Sequence, residues 1–284
     1  IPNWTSDVRL EGKTAIVTGA NVGIGKETAK DLAGRARVIL ACRDMTKGEQ
    51  AARDIMREVK GAKVVAKLLD LADTKSICQF AENIYNEMAL HYLINNAGVA
   101  ICPHGITVDG YETQFGVNHL HFFLTYLLLD LLKHSAPAKV INLSSTTHNM
   151  GKIQFDDLSG EKAYHPLKAY AQSKLANVLF TRELAKRTEG VMAYAVDPGP
   201  VNTEILRHVM RPLASIAKTF SFLIKTPAEG ASTTIYCVVT PENQLLTGGY
   251  YDCAIAESCK AGQDDGTALK LWAVSCHLLG IRWR

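Results

Sequence analysis

The sequence carries seven cysteines, at 42, 78, 102, 237, 253, 259 and 276, yet it has no C-x-x-C pair and no zinc-ligand spacing. At 284 residues it is not small enough to need disulfide staples, so reduced thiols in a cytosol-facing protein are the simpler expectation, and no metal site is expected. Also missing is a run of ~18 apolar residues, the length a membrane helix needs. The nearest stretch, "FFLTYLLLDLLKH" from Phe122 to His134, is interrupted by Asp130 and reads as a buried core helix. The C-terminal "LKLWAVSCHLLGIRW" is amphipathic and reads as a helix packed on the domain. Blocks of like charge are absent too: the formal charge is +3, and Lys and Arg are interleaved with acids in "EKAYHPLK" and "RELAKRTEG". Nucleic-acid binding is therefore excluded as a main function. There is no internal repeat, low-complexity tract or linker. With 47% hydrophobic residues the chain is expected to form one α/β domain over 1–284, with 1–9 as an N-terminal extension. The opening "IPNWTSDVRL", with Ile first, reads as that of a processed or trimmed chain.

What is present is alternation. β-rich runs at 14–19, 37–42, 63–70, 92–98, 139–145, 191–199 and 248–252 are separated by helical segments. Strands alternating with helices predict a Rossmann-like doubly wound parallel sheet with helices on both faces. Two longer irregular stretches, 146–166 and 200–227, follow strands on the edge where open α/β sheets bind ligands, and 200–227 is read as the substrate-loop region. Its apolar residues, in "ILRHVMRPLASIAKTFSFLIK", fit a hydrophobic substrate or a membrane-facing lid.

Between the first strand and first helix lies "TGANVGIGKE", with Gly19, Gly23 and Gly25. Glycine allows the tight turn and the close approach of a pyrophosphate, and the helix N-terminus offers free N–H groups to the anion. At the end of the second strand, "ILACRD" places Arg43 where NAD-selective folds usually carry an acid. The planar guanidinium fork suits a 2′-phosphate, which favours NADP(H), although Asp44 next to it could instead neutralise it. In "AYAQSKLAN" Tyr170 and Lys174 stand four apart in a good helix-forming stretch, so both project from one face. A cation held near a phenol lowers its pKa and makes it a usable acid/base. Alone, the same spacing reads as surface decoration.

With "TGANVGIG", "NNAG" at 95–98, "NLSS" at 142–145, "YAQSK" at 170–174 and "DPGPVNT" at 197–203 in that order, the chain resembles the short-chain dehydrogenase/reductases over nearly its whole length. Within them, "TGANVGIGKETAKDLA", "VILACRD", "INNAGVAICP", "SKLANVLFTRELAKR" and "LWAVSCHLLGIRW" resemble the microsomal retinol dehydrogenase 11 to 14 branch. The resemblance implies NADPH-dependent interconversion of retinal and retinol, with lipid-derived or medium-chain aldehydes and steroid carbonyls as alternative substrates. It implies Tyr170 as proton donor, Lys174 as the residue that binds the nicotinamide ribose and lowers the tyrosine pKa, and Ser145 as hydrogen-bond partner of the substrate oxygen. Asn118 is implied to hold a relay water. Asp70 and Asn96 would lie near the adenine and its ribose, Thr203 at the carboxamide, and Asn21 and Ile24 with the glycines of the turn. Association with the endoplasmic reticulum membrane facing the cytosol, peripheral membrane contact and a homodimer are expected with it; without an anchor the protein would be cytoplasmic.

Three departures stand against this pattern. "GRARV" and "NHLHFF" each look one residue short, beside Arg35 and His121, and the "RTEGVMAY" loop is shortened. Losing one residue from a helix turns everything beyond it by about 100°. If that offset is not absorbed after Asn118, the expectation becomes an inert NADPH-binding protein.

Overall fold

The computed structural model describes residues 6–201, 225–252, 254–256 and 258–283. Eight strands form one sheet in the order β3-β2-β1-β4-β5-β6-β7-β8. They are β1 (Thr14–Thr18), β2 (Arg37–Cys42), β3 (Lys63–Leu68), β4 (Tyr92–Asn95), β5 (Ala138–Leu143), β6 (Val191–Val196), β7 (Tyr250–Asp252) and β8 (Ala254–Ala256). The first seven pair in parallel, and β8 turns back antiparallel on β7. The antiparallel edge strand is an addition to the seven expected strands.

Both faces of the sheet are covered, so its central strands are largely apolar, and alternate residues feed two separate cores. Ile16, Ile39, Leu93 and Val140 pack with α3 (Thr74–Tyr85), α5 (His121–His134), Phe180 and the C-terminal Trp272 and Trp283. Val17, Leu40, Ile94, Ile141 and Val196 pack with α1 (Gly23–Ala33), α2 (Met45–Glu58) and α7 (Pro227–Val239). Helix starts follow local chemistry. Asp44 caps α2 by accepting from the Lys47 N–H, and Thr226 and Glu229 form a reciprocal capping box ahead of α7. The C-terminal α8 (Asp265–Leu278) packs as expected, with Trp272 buried and its indole N–H donating to the Trp283 carbonyl.

The apolar stretch around 122–134 is longer than its sequence suggested. Taken with α4 (Thr113–His119) it runs 22 residues, long and apolar enough to cross a membrane by length and composition, but 83% of its apolar window is buried inside the protein. It is a core element, interrupted at Leu120 (φ −74, ψ 8). The interruption falls within "NHLHFF": α4 ends at His119, the backbone leaves helical ψ at Leu120, and α5 begins at His121. The short "RTEGVMAY" connection is absorbed by Gly190 at φ 75, a left-handed conformation that glycine adopts without penalty. After α1 the chain reaches β2 through Gly34–Ala36 alone, tied by the Arg35 and Ala36 N–H groups to the Leu32 carbonyl.

Candidate active site

The C-terminal ends of β1, β4, β5 and β6 carry the site. At β1, Gly19 turns left-handed (φ 65), and a side chain there would lie 2.9 Å from the Ala97 Cα. A Cβ on Gly25 would fall 2.5 Å from both the Asn96 amide nitrogen and the Gly19 carbonyl. The turn is thus closed by backbone with no room for side chains. Gly23 starts α1 at φ 59, after Val22, whose side chain makes no cap. The first N–H groups of α1 are left open at an N-terminus that favours anions. Asn96 is held behind the turn, its amide donating to the Thr18 carbonyl at 2.7 Å. Asn21 lies in this turn, and Ile24 packs at the edge of the second core. These residues fit a dinucleotide pyrophosphate.

At the end of β2, Arg43 is exposed and makes no ion pair among the described residues. Asp44 does not neutralise it: that carboxylate caps α2 and pairs with Lys47 at 3.9 Å. Asp70 accepts from the Ala72 N–H and its own N–H is taken by Ser76, which shapes the loop after β3. Thr203 and most of the 200–227 region lie outside the described residues.

The helix α6 (Pro166–Arg187) starts with proline in its first turn and presents Tyr170 and Lys174 on one face, the Lys174 ammonium 5.6 Å from the centre of the Tyr170 ring. Lys174 donates to the Leu143 carbonyl at 3.1 Å, and Ser144 donates back to the Lys174 carbonyl at 2.9 Å. Ser144 thus ties the end of β5 to α6, and Ser145 stands next to it at the start of a 3-10 turn (Thr146–Met150). Asn118 accepts from the Val99 N–H and donates to the Val99 carbonyl, each at 2.8 Å, and to the Ser173 hydroxyl at 2.9 Å. Both amide hydrogens and one lone pair of the amide oxygen are used within the protein, and the side chain ties the loop after β4 to α6. A Cβ on Gly98 would stand 3.1 Å from the Asn118 carbonyl oxygen of the side chain and 3.7 Å from the Lys174 nitrogen. Gly98, Asn118 and Lys174 meet at one point.

The electrostatics differ from expectation. Burial pushes the half-buried Tyr170 phenol up to about 12, with the Ser145 side chain pulling it back and the Asp197 charge adding to the rise. Burial brings Lys174 down to about 8, opposed by Asp197. Burial therefore acts on both members of the pair, because desolvation disfavours the charged form of each.

Sequence reading passed over four residues here. Asp197, 1% exposed, follows β6 and accepts from Thr146 and Tyr250. His148, in the 3-10 turn, bonds the Ser145 carbonyl at 2.8 Å and stacks 4.7 Å from the Tyr250 ring. Of the four, only Asp197 had a local signal, its place in "DPGPVNT".

A parallel sheet with a glycine turn at β1 and a tyrosine–lysine pair facing a serine at β5 defines a nicotinamide-dependent oxidoreductase. The chain belongs to the short chain dehydrogenase family, whose model matches residues 13–213. It is 53% identical to retinol dehydrogenase 12 of Homo sapiens over 98% of this chain and 90% of that protein. It is also 53% identical to retinol dehydrogenase 11 of Mus musculus, over 98% of this chain and 89% of that one. Among solved structures, an uncharacterised Mycobacterium paratuberculosis protein matches at TM-score 0.79 and 34% identity, covering 97% of this chain and 96% of its own. The Pseudomonas aeruginosa RhlG/NADP active-site complex matches at TM-score 0.70 and 25% identity, covering 87% and 96%.

Proposed function

We propose that the protein interconverts retinal and retinol with NADP(H). The observation that carries this reading is the meeting of Tyr170, Lys174 and Ser145 at the open end of the sheet, in a chain about half identical to retinol dehydrogenases along nearly its full length. A bound nicotinamide cofactor supplies the hydride that goes to the carbonyl carbon. Ser145 and Tyr170 polarise the carbonyl oxygen, and Tyr170 gives it the proton. Lys174 binds the ribose, and a relay through the ribose hydroxyl, Lys174 and water at Asn118 would return the proton to Tyr170. Gly19, Asn21, Gly23, Ile24 and Gly25 hold the pyrophosphate, Asp70 and Asn96 the adenosine side, and Thr203 the carboxamide. Arg43, free of Asp44, takes the 2′-phosphate and supports NADP(H) over NAD(H). The intact Asn118 contacts count against an inert binder.

The reading also carries a hydrophobic retinoid substrate, an association with the endoplasmic reticulum membrane on its cytosolic side, and a homodimer. The test is NADPH oxidation by the purified protein with all-trans-retinal, alongside NADH and a medium-chain aldehyde. Tyr170→Phe is expected to lower kcat by roughly 10²- to 10⁴-fold, the usual worth of a positioned acid. Arg43→Ala is expected to weaken NADPH about 10- to 100-fold and to leave NADH nearly unchanged, the loss of charge-assisted hydrogen bonds to one phosphate. Equal loss with both cofactors would sink the Arg43 assignment, and aldehyde turnover without retinal turnover would move the substrate to the medium-chain class.

A further inference from the structure

The segment that carries Ser145 is pinned at both ends by buried charges. At one end the Lys174 ammonium donates to the Leu143 carbonyl at 3.1 Å. At the other, the Asp197 carboxylate accepts the Thr146 hydroxyl at 2.5 Å. The same carboxylate oxygen accepts the Tyr250 hydroxyl at 2.8 Å, and its partner oxygen accepts the Gly199 N–H at 2.8 Å. Asp197 is 1% exposed and Lys174 3%, and neither forms an ion pair among the described residues. Every donor to Asp197 among the described residues is neutral. A buried carboxylate held only by neutral donors is costly unless a charge nearby offsets it.

We infer that Asp197 is a positioning residue of the active site: through Thr146 and Tyr250 it fixes the height of Ser145, and it is the buried counter-charge that keeps Lys174 protonated. The inference rests on the catalytic reading of Ser145, Tyr170 and Lys174. Its electrostatic half has one sign. An anion at this place raises the proton affinity of every group around it, and its charge opposes the drop that burial imposes on Lys174 and adds to the rise that burial imposes on Tyr170. The groups that face Asp197 are Tyr170 and Lys174 on α6, Tyr250 on β7 and His148 in the 3-10 turn, together with Lys225, which donates to the Pro198 carbonyl. His148 is itself lowered by burial, with Asp197 opposing.

Asp197→Asn keeps the shape and removes the charge. Carbon-labelled lysine NMR on the protein alone, with Lys174 assigned by its loss in Lys174→Arg, should place the Lys174 midpoint about one unit lower in Asp197→Asn. In retinal reduction the alkaline limb of kcat, which belongs to the coupled tyrosine–lysine pair, should move the same way by about one unit, with kcat down about tenfold. The dissociation constant for NADPH should stay within about twofold, since no phosphate contact is touched. Thr146→Val and Tyr250→Phe keep the charge and remove one pin each. They should lower kcat about two- to tenfold with the limb in place, the worth of one hydrogen bond. These two also serve if Asp197→Asn does not fold. An unmoved Lys174 midpoint in Asp197→Asn, or unchanged kcat in both hydroxyl variants, overturns the inference. Because the NMR titration needs no substrate, a wild type that turns over no carbonyl but shows the shifted midpoint would sink the retinal reading and leave the counter-charge standing.

Discussion

Two lysines are buried among the described residues, and they are used in opposite ways. Lys139, on β5, is 1% exposed and donates to the carbonyls of Cys237, Val238 and Thr240, at 3.2, 2.9 and 2.5 Å. It closes the C-terminal end of α7, where helix carbonyls would otherwise lack donors, and Glu242 stands 3.8 Å away. All three ammonium protons are spent. Lys174 donates to one carbonyl, that of Leu143. Burial lowers both lysines, and for Lys139 the Glu242 and Cys237 charges oppose the drop. What separates a structural from a functional buried cation here is the number of its hydrogen-bond donors left over: an ammonium has three, and only Lys174 keeps donors for a ligand.

The comparison can be broken by exchanging each lysine for methionine. Lys174→Met should lower kcat for retinal reduction by roughly 10²-fold or more, by loss of the relay and of the charge beside Tyr170. Its thermal midpoint should be unchanged or higher, because a buried charge is exchanged for an apolar side chain of similar volume. Lys139→Met should do the reverse. Three carbonyls lose their donor, at a cost of roughly 2–4 kcal/mol in denaturant melts, while kcat per folded molecule stays within about twofold. If both variants lose activity and stability together, the distinction by spare donors is wrong.

A finer test uses pH. Burial brings the folded Lys174 ammonium down to about 8, from the ordinary lysine value of about 10.4. At pH below 8 both states are charged and the burial penalty is fully present. Between 8 and about 10.4 the unfolded chain binds the proton and the folded one does not, so stability rises with pH. Wild-type stability minus that of Lys174→Met should therefore climb by about 3 kcal/mol across this interval, and a flat difference would mean the lysine is not desolvated. Smallest of all, Glu242→Gln should change stability by less than about 1 kcal/mol, since that carboxylate is partly exposed and the carbonyls already hold Lys139.

The local features were the legible ones. Tyr170 and Lys174 share a turn of one helix, and the glycine turn is ten residues long, so spacing alone exposes both. The doubly wound sheet follows from alternation, whereas the tie that Asn95 makes between strands is seen only in the structure. Asp197 was not legible because the partners that give it meaning, Thr146 and Tyr250, lie 51 and 53 residues away. The short β8 has three residues and no pattern to read. The direction of the Tyr170 shift depends on how much protein closes round it, a quantity set by tertiary packing. The short stretch after Asn118 was visible in the sequence, but the break between α4 and α5 at Leu120 was not, because it is a matter of one backbone angle.

The tie between strands has a further effect. Asn95 and Asn142 are register partners on β4 and β5, both buried, with the Asn95 amide donating to the Asn142 carbonyl oxygen and to Thr125. The Asn142 amide in turn donates to Thr181 on α6. A slip of one residue between these strands would strand an amide in the core, at roughly 1–3 kcal/mol for each group left without a partner. During folding, then, this polar row acts as a proofreader of strand alignment: apolar residues alone would tolerate several pairings of β4 with β5, and the row admits the one in which Gly98 and Ser145 come to stand at the same level.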